Sequence, residues 1–338
     1  LLSPWCRIFR GIFMFDVAAA RAALKPMDWA LPAEPQAALR DYVRHYGLDF
    51  GGHIAGLRHG IGYIDVSTVL PSDYRIAVQT FQVPKPRGTV LVMHGYFDHV
   101  GIFDHVIEHL LGRDFDVVSF DLPGHGLSSG APAAINSFSE YQHVLDAVLA
   151  GVAQTRLAVP LSVVAQSTGG AIIMEWLLRS RATPDSSPFA AVVTFAPLVR
   201  PVNWAVNRTL YLLLRLFRRY IARKFAVNSH DADFLDFLRN RDPLQSRDLS
   251  VLWVGAMKRW IPHIENATPC TYPLVVVQGD EDGTVDWRHN LGVIRAKFPD
   301  VQVHMIATGR HQLANEAPAL REQALAVLDR ALPRADTD

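Results

Sequence analysis

The sequence predicts an α/β protein: an open, mostly parallel sheet flanked by helices, with a helical segment inserted late in the chain. Three observations carry that expectation. Short valine-rich apolar runs alternate with helical patterns from about residue 60 onward. The later runs are each followed by Gly, Pro, Asp or His, as when buried parallel strands feed loops at their C-terminal ends. Between about residues 199 and 268 the alternation stops and helical patterns follow one another.

Eight runs read as strands, in order "GYIDVSTVL", "YRIAVQTFQV", "TVLVMHG", "DVVSFDLPG", "LSVVAQS", "AAVVTFAPL", "PLVVVQGDE" and "VQVHMIATG". The first two come back to back and are expected as an antiparallel pair at one edge. Helical patterns separate the rest: "IFDHVIEHLLG", "SFSEYQHVLDAVLAGV", "AIIMEWLLRS", "WRHNLGVIRAKF" and "APALREQALAVLDRAL". The insertion opens with "NWAVNRTLYLLLRLFRRYIARKF". The expected division is a helical N-terminal extension over 1–57, a core over 58–198 and 269–335, and a helical cap over 199–268.

At 338 residues and 49% apolar composition, the chain is long enough for one large core. Its 33 Lys and Arg balance 33 Asp and Glu, which gives no positive case for nucleic acid as a partner. Cys6 and Cys270 suggest neither a disulfide framework nor a zinc knuckle, and they are compatible with a reducing compartment. The start "RIFRGIFMF" has too short an apolar run before Asp16 for a signal peptide and reads as an amphipathic or loose extension. The uncharged stretch 157–174 is long enough to span a membrane, yet Pro160 and the "QSTGG" within it fit a strand, a turn and a helix start better. A cytoplasmic location is expected, with peripheral membrane contact through the cap.

Two serines compete for a nucleophile's role. Ser128 lies in "GLSSG", a full Gly-x-Ser-x-Gly match, whereas "VVAQSTGGA" puts Ala165 where the first glycine of that pattern belongs. A serine is activated on a sharp strand-to-helix turn, beside a base and facing backbone N–H groups. Ser167 has that context: the strand "PLSVVA", the small turn "QSTGG" and the helix "AIIMEWLLRS". Ser128 sits in a long Gly-, Pro- and Ser-rich loop with no helix beginning at it, where serine and glycine shape turns. The expectation is Ser167.

A base and an orienting carboxylate complete such a site. His311 follows the last strand, in "ATGRHQLANE". Asp280, Glu281 and Asp282 end the strand before it, with Asp286 just beyond.

These segments resemble an α/β-hydrolase of the monoacylglycerol lipase and lysophospholipase type, grouped with the serine aminopeptidase-like hydrolases. "VLVMHGYFDH", "FDLPGHGLSS", "VVAQSTGGAI" and "VVVQGDEDGTVD…ATGRHQLANE" carry the resemblance over roughly residues 88–315. The order Ser167, acid, His311 is that of the fold. The resemblance implies Asp282 as the acid, the last position of a Gly-x-x-Asp starting at Gly279 and continuing to Val285. It departs from the family in Ala165 and in Gln166-Ser167-Thr168, where relatives carry glycine and His-Ser-Met or similar. Two N–H donors must hold an oxyanion. Thr168, directly after the nucleophile, is one, and the family's His-Gly-x pattern makes Tyr96 the other.

"HGYFDH" also offers metal-ligand types in His94, Asp98 and His99, but no cysteine cluster or helical His-Glu-x-x-His supplies further ligands. No metal or organic cofactor is expected, and His125 is read as a loop-shaping residue. The leucines and Phe217 of the cap, interleaved with Arg208, Arg215, Arg218, Arg219, Arg223 and Lys224, suit a helix that packs on the core or meets a lipid surface. The resemblance implies a serine ester hydrolase acting on a monoacyl lipid, a monoacylglycerol or lysophospholipid. Amide hydrolysis and acyl transfer on the same residues are alternatives. A non-catalytic interaction module is disfavoured because serine, acid and histidine are all present. Haloalkane dehalogenase and epoxide hydrolase chemistry needs an aspartate where Ser167 stands.

Overall fold

The computed structural model describes residues 15–29, 35–68, 73–155 and 157–333. Its centre is an eight-stranded sheet. Strands β1 (Arg58–Ser67) and β2 (Asp73–Gln82) pair antiparallel at one edge, and β2 also runs antiparallel to β4 (Phe115–Phe120). The remaining neighbours are parallel: β4 with β3 (Gly88–Met93), β3 with β5 (Leu161–Gln166), and β5 with β6 (Phe189–Phe195). After two short strands, β7 (Tyr220–Ala222) and β8 (Asp248–Ser250), the sheet resumes with β9 (Val275–Gly279) beside β6 and ends with β10 (Gln302–Ile306). All eight expected strands are present, and the fold is an α/β-hydrolase fold.

Each inner strand is buried on both faces, so alternate residues enter two different cores. Val90 and Val92 of β3 join the side covered by α1 (Val17–Ala23), α2 (Ala37–His45), α3 (Asp104–Leu111) and α10 (Pro318–Ala331). Leu91 and Met93 join the side covered by α4 (Phe138–Ala153), α5 (Thr168–Ser180), α8 (Val251–Asn266) and α9 (Trp287–Lys297). Helix α4 starts on a capping box in which Ser137 and Glu140 satisfy each other's backbone N–H groups. Asp16, which interrupts the N-terminal apolar run, accepts from the N–H groups of Ala18 and Ala19 and caps α1. The amphipathic start itself lies, apart from Phe15, outside the described residues.

The order β4–β3–β5 reverses direction at β3, since the chain leaves β3 for β4 on one side and returns to β5 on the other. Open α/β sheets place ligand crevices at such a switch point, beyond the carboxyl ends of the strands. The uncharged stretch 157–174 is divided between β5, Ser167 and α5, and no helix among the described residues is long and apolar enough to cross a membrane.

Between β6 and β9 the structure corrects one expectation. The helix opening the insertion, α6 (Trp204–Leu214), stops at Leu214, and β7 and β8 then pair antiparallel, so strands do not vanish there. The helix has no buried residue along its length. Continuing it would have extended an unpacked apolar stripe through Leu216 and Phe217, whereas Tyr220 and Ile221 suit a paired strand. Helix α7 (Ala232–Asp236) is short, and α8 packs Trp253, Met257, Trp260 and Ile261 into the core.

Candidate active site

Ser167 is the single residue between β5 and α5, at φ 52° and ψ −109°. A non-glycine side chain in that conformation is strained, and the surroundings hold it there. The Ser167 N–H donates to Phe195 O at 2.9 Å, and Ser167 O accepts from Leu198 and Ala171 N–H groups, both at 3.0 Å. Close approach of α5 to β3 completes the turn: a Cβ at Gly169 would stand 2.7 Å from Met93 O and 2.8 Å from His94 O. Ala165, where the pattern has glycine, is fully buried and pairs with Met93 and Thr194 without displacing the strand.

His311 stands opposite. Its Nε2 lies 3.0 Å from Ser167 Oγ and its Nδ1 2.8 Å from Asp282 Oδ2. All three residues are buried. Asp282 Oδ1 accepts from the N–H groups of Thr284 and Val285, and Gln278 Nε2 donates to Oδ2. Burial would raise the Asp282 carboxyl, but the charge and hydrogen bond of His311, with those two backbone donors, outweigh it and hold it below the usual range. Burial would likewise lower His311, and the attraction of Asp282, reinforced by Asp98, raises it above the ordinary value. An ionised Asp282 only accepts, so Nδ1 of His311 donates to it and neutral Nε2 faces the serine hydroxyl.

The neighbouring acids are placed differently. Asp280 accepts from Thr308 N–H at 2.6 Å and so ties the β9 loop to the β10 loop. Asp286 caps α9 and pairs with Arg200 at 3.0 Å. Glu281 offers its backbone N–H to Gly309 O. Gly279 permits this contact, since a Cβ there would stand 2.1 Å from Gly309 O.

Ser128 has a structural partner set. Its buried hydroxyl donates to Asp121 O at 2.6 Å and accepts from Ala77 N–H at 2.9 Å, pinning the "GLSSG" loop to β2. Gly126, at φ 51°, lies so close to Asp121 that a Cβ would meet the carboxylate at 2.2 Å. That carboxylate accepts from Val100 and Leu127 N–H groups instead. The "GLSSG" serine thus builds a loop, and the residue beside His311 is Ser167.

Tyr96 and Thr168 both line the cavity that opens onto Ser167 and His311. Thr168 is the first residue of α5, whose leading N–H groups have no intrahelical acceptor and carry the positive end of the helix dipole. Tyr96 is fixed through its side chain, which stacks on Trp253 at 3.8 Å and donates from its hydroxyl to Ala133 O at 2.8 Å. The cavity, about 270 Å³, continues between Leu198, Leu210, Leu214, Trp253, Met257 and Val285.

The candidate metal-ligand types of "HGYFDH" turn to separate partners. His94 is neutral: burial, with the nearby His125, pushes it well below its usual value. Its Nδ1 donates to Gly95 O, and its Nε2 accepts from Leu122 N–H. His99 pairs with Asp242 at 3.0 Å, and Tyr46 donates to the same carboxylate at 2.7 Å. His125 donates from Nδ1 to Pro123 O within its own loop.

Asp98 belongs to a network that the motifs did not reveal. Gln166, before the serine, donates to Gln312 Oε1, and Gln312, after the histidine, donates to Asp98 Oδ1 at 2.9 Å. Gln166 Oε1 accepts from Ala314 N–H, and Asp98 Oδ2 from Gly95 N–H. Their one sequence signal is position, because both glutamines adjoin the two residues of greatest interest.

The comparisons agree with this architecture. The family model described as serine aminopeptidase, S33, matches residues 84–318. A phospholipase of Bacillus subtilis, YtpA, is 27% identical over 61% of this chain and 80% of its own length. A monoacylglycerol lipase of Mycolicibacterium smegmatis is 25% identical over 68% of this chain and 83% of its own. Among solved structures, a soluble variant of monoglyceride lipase from Saccharomyces cerevisiae superposes with a TM-score of 0.65 at 16% identity, covering 79% of this chain and 92% of that one. The monoacylglycerol lipase of Paleococcus ferrophilus gives 0.64 at 18%, over 76% and 98%. With this sheet, this strand-to-helix serine and a family match over most of its length, the chain belongs to the serine aminopeptidase S33 family of α/β-hydrolases.

Proposed function

We propose that the protein is a serine carboxylic-ester hydrolase that cleaves a monoacyl lipid through Ser167, His311 and Asp282. The observation that carries the reading is the hydrogen-bonded chain Ser167–His311–Asp282 at a cavity whose walls are largely apolar. Ser167 Oγ attacks the ester carbonyl carbon while its proton passes to His311 Nε2. Asp282 keeps Nδ1 protonated and stabilises the imidazolium. The N–H groups of Tyr96 and Thr168 receive the oxyanion, where charge develops in the transition state. Collapse breaks the bond to the alcohol, which takes the proton from His311 and leaves. Water, deprotonated by the same imidazole, then attacks the acyl-enzyme and releases a fatty acid and free Ser167.

The 199–268 segment acts as a cap in this reading. Leu214 of α6 and Trp253 and Met257 of α8 wall the space for an acyl chain. The outer side of the same segment suits peripheral contact with a lipid surface. Leu213, Leu216 and Phe217 are 65%, 74% and 81% exposed, beside Arg215 and Arg218. The relatives' names, phospholipase and monoacylglycerol lipase, support the substrate class.

The test is p-nitrophenyl ester hydrolysis across acyl lengths, with fluorophosphonate labelling of the folded protein. Ser167→Ala should abolish both turnover and label, and Ser128→Ala should retain both per folded molecule. Turnover that survives Ser167→Ala and is lost with Ser128→Ala would overturn the assignment.

A further inference from the structure

One cation at the active-site cavity, Arg223, forms no ion pair among the described residues. Arg223, the first residue after β7, lines the cavity together with Ser167 and His311 and is half-buried. Its guanidinium is clamped in place: it lies 3.9 Å from the Phe97 ring centroid and 4.4 Å from that of Phe225. Nη1 donates to Gln245 Oε1 at 2.7 Å and to Ser246 O at 3.3 Å. Nε and Nη2 have no acceptor among the described residues, and no carboxylate there forms an ion pair with Arg223. An arginine positioned by two rings and one terminal nitrogen keeps its other edge for a ligand. That Nε–Nη2 edge is the fork that matches phosphate or carboxylate oxygens.

The surroundings favour an anion at this end of the cavity. Burial lowers the guanidinium pKa to about 10, against the raising effect of Asp98, so it stays charged at neutral pH. Lys224, the next residue, lines the same cavity. Residues 204–224 hold six cationic side chains and no acidic one, in a chain whose total charges balance. Asn228 Oδ1, also at this wall, is buried with no hydrogen-bond partner among the described residues and offers an acceptor for a hydroxyl. The cavity is therefore bipolar: Leu210, Leu214 and Met257 offer an apolar channel, and Arg223, Lys224 and Asn228 a polar, cationic end.

We propose that Arg223 reads the head group, and that the ester cleaved belongs to a monoacyl glycerophospholipid, whose phosphate takes the Nε–Nη2 edge, and not to a neutral monoacylglycerol. This rests on the ester-hydrolase reading above and narrows its substrate class. The phosphate stays chemically untouched: it is a binding handle that sets the acyl ester against Ser167.

The experiment compares decanoylglycerol with decanoylglycerol phosphate, both dispersed as monomers below their micelle concentrations so that surface adsorption plays no part. The expected wild-type ratio of kcat/KM, phosphate to neutral, is about 10 to 100, the range for a hydrogen-bonded charged contact. Arg223→Gln should bring that ratio to about 1, and Arg223→Lys, which keeps the charge without the fork, should fall between. Added salt should reduce the wild-type ratio and leave that of Arg223→Gln unchanged. A wild-type ratio of 1 or less overturns the proposal without any variant. So does a ratio that falls with Arg218→Gln while persisting in Arg223→Gln. Failure of the hydrolase reading is distinguished by binding of an ether-linked, non-cleavable decanoylglycerol phosphate to Ser167→Ala protein. Calorimetric binding that is about tenfold or more weaker in the Ser167→Ala, Arg223→Gln double variant supports the anion site even if no ester is turned over. Equal binding by the two rejects it.

Discussion

The close packing under the serine turn yields a sharp prediction for Gly169→Ala. A methyl carbon there would stand 2.7 Å from Met93 O and 2.8 Å from His94 O, roughly half an ångström inside the usual carbon–oxygen contact. Neither oxygen can retreat alone. Met93 is hydrogen-bonded between β4 and β5, and His94 is held by its ring contacts to Gly95 O and Leu122 N–H. The start of α5 must therefore move, and it carries Ser167 and Thr168 with it. Overpacking of this kind costs about 1–3 kcal/mol. With an unfolding entropy of about 0.7 kcal/mol/K for a chain of this length, the melting temperature should fall by roughly 1.5–4 °C.

The larger effect should be on turnover. A 1 Å misplacement can cost about a hundredfold, so a shift of half that size should lower kcat by about tenfold. KM should change less than kcat, because Thr168 is the one residue of α5 among those lining the cavity. Ester kinetics and thermal unfolding on the same preparation test this. A kcat within about twofold of wild type, with an unchanged melting temperature, would refute the claim that this contact sets the position of Ser167.

Three further expectations can be checked with the same assays. Ala165→Gly restores the family's glycine but removes a buried methyl and loosens a strand, about 1.5 kcal/mol together; the melting temperature should drop by roughly 2 °C with no gain in kcat, and a tenfold gain would show that the methyl strains the turn. Because His311 must be neutral to accept the serine proton and its pKa is raised, kcat/KM should climb with pH through a midpoint above 6.5; Asp282→Asn should move that midpoint down and cut the plateau by about 10³–10⁴-fold. The buried His99–Asp242 pair should make His99→Gln costly near neutral pH, by about 3–5 kcal/mol in urea unfolding. Burial would lower His99, but Asp242 raises it above its ordinary value, so its contribution is present below the unfolded pKa and is lost as pH rises through the folded one. The cost of His99→Gln should therefore shrink at alkaline pH, and a pH-independent cost would count against a charged pair.

The sheet was legible because its signals are local. In the fully buried "TVLVM", Val90 and Val92 go to one core and Leu91 and Met93 to the other, and each strand run announces itself within ten residues or fewer. The serine was legible for a similar reason, since strand, small turn and helix are contiguous around Ser167. Asp282 needed more than local reading: three acids stand within four positions, and resemblance chose the one whose side chain lies against His311. What stayed hidden depends on distant partners. Nothing near His99 names Asp242, 143 residues away, and nothing in "RRYIARKF" says that the helix ends before it and that Arg223 lines the serine's cavity. Propensity reads the insertion as helical throughout, while pairing between β7 and β8 decides otherwise.

The same distance effect accounts for Gln166 and Gln312. A histidine at position 166 would present a ring where this chain presents an amide. Amides both donate and accept, so Gln166 receives Ala314 N–H on its oxygen while giving an N–H to Gln312, which passes one to Asp98. Asp98 in turn accepts from Gly95 N–H, at the start of the loop that carries Tyr96. Three separate pieces of the site are thereby joined through buried side chains: the serine turn, the loop after His311 and the loop after β3. Burial raises the Asp98 carboxyl against the lowering effect of Gln312, His311 and Arg223, so its charge is linked to both His311 and Arg223. A network of this kind fixes relative position only if every member is satisfied, because each unpaired amide buried here would cost about 1–3 kcal/mol. Gln166, beside Ser167, is thus held in a network with Gln312 and Asp98, which lie far from it in sequence and adjoin it in space.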